Sequence, residues 1–176
     1  MHELDKVSEA GFFLNLMQER SNSAPDFQHC LSAFLSAARS ALQYAFEEAK
    51  TKGAQTWYEQ AMNASPVLRF FKDKRDINIH VKPLVLMQHT TLTEKVHVNI
   101  SESLVLKMGH TDGTAETREI RSAAPVVVQH SSSQVEVMYL FDDWQGAEDA
   151  LSLSRKYLAE LKSLIEVGIS AGHLSG

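Results

Sequence analysis

An arginine, an aspartate, three spacers and a histidine stand together in Arg75-Asp76-Ile77-Asn78-Ile79-His80. Guanidinium grips phosphate oxygens bidentately without losing its charge, and imidazole exchanges a proton near neutral pH, so these types at this spacing suit chemistry on a phosphate ester. The surrounding segment is the most basic in the chain. Between Pro66 and Lys82 the bases Arg69, Lys72, Lys74, Arg75 and Lys82 face only Asp73 and Asp76. That is a balance of +3, while the rest of the chain carries −8 and the whole −5. A cationic patch on an acidic protein concentrates a phosphate-bearing ligand at one place, which makes Arg69, Lys72, Lys74 and Lys82 the candidate phosphate-binding residues.

The elements that must position this segment follow from the period of the apolar residues. Val7, Ala10, Leu14 and Met17 mark an amphipathic helix over about Glu3 to Arg20. Ser21 to Pro25 reads as a loop, with Asp26 as the cap of the next helix. From Phe27 the apolar residues Leu31, Phe34, Leu35, Ala38, Leu42, Ala45 and Ala49 hold a 3.6-residue period until Lys50 and Gly53 end it. A short helix around Gln55 to Met62 comes next, and Ser65 before Pro66 reads as an N-cap with proline at the first helical position of a helix running to about Ile79. Val81-Lys82-Pro83 should stop it, since the residue before proline avoids the helical region.

Beyond His80 the period becomes two. Val96, Val98, Ile100, Leu104, Leu106 and Met108 alternate with polar residues as a half-buried strand or bulged strand pair. Gly109 to Gly113 has the composition of a turn, Thr114 to Arg121 that of a polar edge strand, and Val126 to Gln129 and Val135 to Phe141 flank a hairpin tip at Ser131-Ser132-Ser133. A last helix starts near Asp142 and Asp143, continues through Leu151, Ser154, Leu158, Leu161 and Ile165 to Gly168, and is followed by residues expected to fray. The fold class is therefore α+β in a single domain over 1–176: helices over 3–80, a small antiparallel sheet inserted over 83–141, and a closing helix over 143–168. The closing helix must pack on the first group to bury its stripe.

Composition narrows the function. Hydrophobic residues at 44% and charged residues at 22% describe an ordinary globular chain, and the longest apolar run, Val137 to Phe141, is far short of the ~20 residues of a spanning helix. The amino terminus lacks the basic start and apolar stretch of a secretory signal. A cytoplasmic address without membrane partners is the expectation. A lone cysteine, Cys30, excludes an intramolecular disulfide and suits a reducing compartment. The net charge argues against a surface coated with nucleic acid.

Arg75, Asp76 and His80 resemble the signature of the HEPN family (higher eukaryotes and prokaryotes nucleotide-binding), an arginine, a polar residue, three variable residues and a histidine. The preceding helices are similar to that family's bundle, so about half of the chain carries the resemblance. It implies a homodimer in which the motifs of two subunits face each other across a cleft. It also implies metal-independent RNA cleavage, without any cofactor, by attack of the 2′-hydroxyl on the adjacent phosphate. Arg75, Asp76 and His80 would form the catalytic set, with His80 moving the proton and Arg75 stabilising the charge on phosphorus. On an ideal helix, Arg75 and His80 lie about 140° apart, whereas Asp76 and His80 are nearly aligned. Either the helix loosens near Ile79 or a second subunit completes the site, and Asp76 is placed to orient His80.

A different class of reading is a non-catalytic interaction module, or a dimeric nucleotide- or RNA-binding module, that docks an unidentified protein partner. Here the cationic residues form a solvated helix end, with Arg69/Asp73 and Lys72/Asp76 as i,i+4 pairs worth ~0.3–0.5 kcal/mol each. The remaining chemistry-bearing residues read plainly. His89, His97, His110 and His130 lack short metal-ligand spacing, so no metal is expected. Cys30 reads as a small buried residue, Glu47 and Glu48 as solvent-facing helix charges, and Trp57, Tyr58, Phe70 and Phe71 as core or dimer packing.

Overall fold

The computed structural model describes residues 2–80, 86–95, 103–121 and 132–175. It is α+β, with five helices and two small antiparallel sheets. The helices are α1 (His2–Glu19), α2 (Ala24–Thr51), α3 (Gln55–Ala64), α4 (Pro66–His80) and α5 (Ala150–Ser170). Between α4 and α5 lie β1 (Met87–Lys95), β2 (Ser103–Gly109), β3 (Ala115–Arg121) and β4 (Ser132–Leu140). The chain forms two compact units, Met1–Thr90 with Glu136–Gly176, and Thr91–Val135.

The helical unit is built around α2, whose apolar stripe buries Phe27, Leu31, Phe34, Leu35, Ala38, Leu42, Ala45 and Ala49. Alanines along that stripe leave room for α1, which buries Ala10, Leu14 and Met17 against α2 and α5. Three aromatic rings then join three helices. Phe71 of α4 stacks on Tyr157 of α5 at 4.5 Å, and Phe34 of α2 meets both edge-on at 6.3 and 5.8 Å. As its stripe requires, α5 packs back on α1, α2 and α4.

Helix ends follow local chemistry, with three departures from the sequence-based reading. The first is that α2 begins at Ala24 rather than after a loop through Pro25. Pro25 fits the first turn, where its missing N–H is not needed, so Ser23 rather than Asp26 takes the N-cap position. The second is that α5 begins at Ala150, because Asp149 Oδ1 accepts from Ser152 N at 2.6 Å, leaving Asp142 and Asp143 outside the helix. The third is that residues 169–175 do not fray. Gly172, at φ 74°, closes a Schellman turn with His173 N donating to Gly168 O at 2.8 Å, and Leu174 folds back to 2% exposure. Ser65 caps α4 as expected, its Oγ accepting from Leu68 N at 2.9 Å.

Among the described residues there are two two-stranded sheets instead of one, β1 with β4 and β2 with β3. The β2–β3 pairing is local, running from Ser103↔Arg121 to Gly109↔Ala115 around a turn in which Asp112 Oδ1 accepts from Thr114 N and Oγ1. In chain order β2 and β3 lie between β1 and β4, which pair with each other. β1 is a strand that the alternation of apolar residues does not reveal, since Gln88, Thr90, Thr91 and Thr93 are polar and exposed. On β2, Leu106 and Met108 are exposed rather than half-buried, at 41% and 45%. The expected strand segments Val96 to Ile100 and Val126 to Gln129 lie outside the described residues.

Candidate functional site

The helix α4 carries the Arg75-Asp76-x3-His80 segment to its last turn. Its buried side, Val67, Leu68 and Phe71, locks it onto the core, and this sets which of its polar residues reach solvent. Arg69 and Lys72 are exposed, and among the described residues neither makes an ion pair; the i,i+4 pairs with Asp73 and Asp76 do not form. Asp76 instead accepts from Arg75 Nη1 at 3.0 Å, with Arg75 about three-quarters buried. His80 ends the helix, while its side chain and Lys82 lie outside the described residues, and with them any contact between Asp76 and His80.

Lys74 departs from the sequence-based expectation. Only 7% exposed, it sits over the Phe70 and Phe141 rings at 5.2 and 5.6 Å, and its Nζ meets Asp143 at 2.5 Å and Asp142 at 3.9 Å. The position falls on the side of α4 that faces the chain entering α5, so the ammonium is committed inside the protein and is not presented to a ligand. Arg69 and Lys72 remain as the exposed cations of this helix.

A cleft of about 370 Å³ opens between α2, α3 and α4. Lys72 reaches it from α4, Tyr58, Glu59 and Asn63 from α3, and Arg39 and Phe46 from α2. The Arg39 Nε is buried and, among the described residues, meets no hydrogen-bond acceptor. Tyr58 is fixed by its hydroxyl donating to Leu42 O at 3.0 Å, and burial pushes its phenol up to about 12, so it stays protonated at neutral pH. Arg39 escapes the motif-based reading because it is far from His80 in sequence. The signal for it is a single arginine placed directly after the buried Ala37-Ala38 pair of an otherwise alanine-rich helix face.

No protein-family model, curated protein or solved structure matches the chain.

The other residues weighed from sequence fall in structural roles. Trp57 packs on Gly168 and lies 4.8 Å from the His173 ring, and Phe70 joins Phe141 and Trp144. Glu48 is not a plain solvent-facing charge. It accepts from Ser175 N at 2.6 Å and pairs with Lys52 at 3.2 Å, and although burial pushes its carboxyl up, these bonds bring it below the usual carboxylate range. Cys30 is half-buried, and burial followed by the nearby Asp26 charge pushes its thiol up, away from the nucleophilic thiolate. Among the described residues no group of three His, Cys, Asp or Glu side chains is placed to hold a metal ion, and no helix is long and apolar enough to cross a membrane.

Proposed function

We propose that this chain is an HEPN-like protein that handles RNA as a homodimer and cleaves it without a metal. In this reading His80 transfers the proton of the attacking 2′-hydroxyl, and Arg75 stabilises the charge on phosphorus. The observation that carries it is the continuity of α4 through His80. A helix that loosened near Ile79 would let positions 75 and 80 converge within one chain. A continuous helix keeps them about 140° apart, so a site using both draws them from two copies. Arg69 and Lys72, exposed and without ion pairs among the described residues, supply the positive surface along which an RNA backbone would lie.

The test is degradation of a mixed RNA pool in EDTA. Removing a general acid or base costs about 10²- to 10⁴-fold, so His80→Ala should lose that much of the wild-type rate. Equal behaviour of the two proteins ends the ribonuclease reading. Light scattering at micromolar concentration should give twice the chain mass, and a monomer mass removes the two-subunit site. The exposed Val105, Leu106 and Met108 of β2 favour a second reading, a non-catalytic module that docks another protein. That reading expects RNA to survive and a partner to protect these residues from solvent.

A further inference from the structure

We infer that the cleft between α2, α3 and α4 binds a small monocarboxylic acid, with the carboxylate between Arg39 and Lys72 and the apolar body against Phe46, Tyr58 and Met62. This goes beyond the RNA reading and does not depend on it, since it calls on neither Arg75 nor His80. The cleft volume of about 370 Å³ falls in the range of small-ligand pockets, about 300–1,000 Å³.

Charge selects a monoanion. Arg39 and Lys72 line one cleft from two helices, and among the described residues neither makes an ion pair. Glu59 is the third charged residue of the lining, with Gln55 Nε2 donating to its Oε1 at 2.7 Å. Two cations less one acid leave +1, which a single carboxylate neutralises, whereas a dianion such as a phosphate monoester would leave excess negative charge beside Glu59. Geometry selects a planar anion. The Arg39 Nε is buried and, among the described residues, has no acceptor, so this donor of the guanidinium fork is idle. Nε and the Nη on the same edge match the two oxygens of a carboxylate. Turning that edge into the cleft gains a charge-assisted bond without breaking an existing one at Nε. The facing wall suits an apolar body. Phe46 is partly exposed and stands 5.4 Å from the Tyr58 ring, Met62 lies beside them, and the Tyr58 hydroxyl is already committed to Leu42 O at 3.0 Å. This part of the lining therefore offers rings and a thioether rather than hydrogen bonds.

NMR titration of the full chain, observing the arginine Nε–H resonances at constant ionic strength, tests this with phenylpropionate as the probe. The acid should saturate one site per chain and move the Arg39 Nε–H resonance downfield as that donor gains an acceptor. Phenylpropionamide, which lacks the charge, and acetate, which lacks the apolar body, should each bind at least about tenfold more weakly. Lys72→Ala, at an exposed position, should weaken the acid about five- to tenfold. Arg39→Lys keeps the charge but loses the fork and should cost at least about tenfold. Glu59→Gln, also exposed, should act oppositely and tighten binding about two- to fivefold, which a change in folding alone would not do. Absence of saturable phenylpropionate binding, equal binding of acid and amide, or binding that neither Lys72→Ala nor Glu59→Gln changes, overturns the site. A tenfold preference for phenyl phosphate overturns the choice of a carboxylate. The same preference for N-acetyl-Ala-Phe overturns a free acid in favour of the carboxylate end of a peptide chain.

Discussion

Lys74 Nζ stands 2.5 Å from Asp143 Oδ1, an ion pair that ties α4 to the chain leading into α5. The lysine is buried while Asp143 is more than half exposed, so the two sides of the pair are not equivalent. Removing Asp143 leaves a buried ammonium with the more distant Asp142 and two ring faces among the described residues, whereas removing the ammonium leaves a carboxylate that water solvates. Asp143→Ala should therefore cost about 1–3 kcal/mol of stability, and Lys74→Met, which keeps the apolar stem, under about 1 kcal/mol. Urea denaturation with matched slopes compares them; a larger loss for Lys74→Met would contradict the assignment of the burden to the buried ammonium.

Acid should weaken the loop before α5 through Glu148. A hydrogen bond from Trp144 Nε1 at 2.9 Å, a backbone hydrogen bond and Lys156 hold its carboxyl down to about 2, against an ordinary 4.5. Because the folded value is the lower one, this contribution is fully present above about pH 4.5 and drains away as pH falls toward 2. Melting temperatures of wild type and Glu148→Gln should differ most above that window and converge below it. A gap independent of pH between 2 and 6 would refute the linkage.

Gly168 is a packing glycine. A Cβ there would lie 2.5 Å from Trp57 Cη2 and 2.7 Å from Leu174 Cδ1. Gly→Ala in an exposed helix gains about 1 kcal/mol, but here overpacking should cost about 1–3 kcal/mol. In a double-mutant cycle, Leu174→Ala should relieve part of that penalty. Gly168→Ala as stable as wild type would mean that the folded-back carboxyl terminus yields freely.

On the RNA reading, Asp76 restrains Arg75. Asp76→Asn removes the charge 3.0 Å from Arg75 Nη1, and a partly exposed pair of this kind should yield about two- to fivefold tighter RNA binding. Arg69→Ala should act oppositely, lowering affinity and reducing the slope of log K against log salt by about 0.7 for one lost single-strand contact. Filter binding at several salt concentrations measures both. Unchanged slopes for Arg69→Ala would remove that residue from the RNA path.

Much of the fold is legible in local signals. The α2 period, the Ser65-Pro66 start of α4 and the glycine stop at Gly53 each depend on residues a few positions apart. Nearest-neighbour rules fail where a distant partner intervenes. Asp142 and Asp143 have the composition of a helix start, but Lys74 draws Asp143 to α4 and Asp149 takes the cap. The terminal residues look free until Leu174 finds Gly168 and Ser175 finds Glu48.

The candidate site divides along the same line. The linear chain determined the cationic charge of the Pro66 to Lys82 segment and the spacing of Arg75, Asp76 and His80, because charge and spacing are properties of the residues themselves. Which cations face outward was decided only by packing. Burial of Val67, Leu68 and Phe71 set the rotation of α4, so Lys74 turned toward Asp143 while Arg69 and Lys72 reached solvent. Arg39 joined Lys72 across a cleft because α2 and α4 meet in space. A charge counted along a chain has no direction until a helix is docked, and only the docked helix gives it a partner.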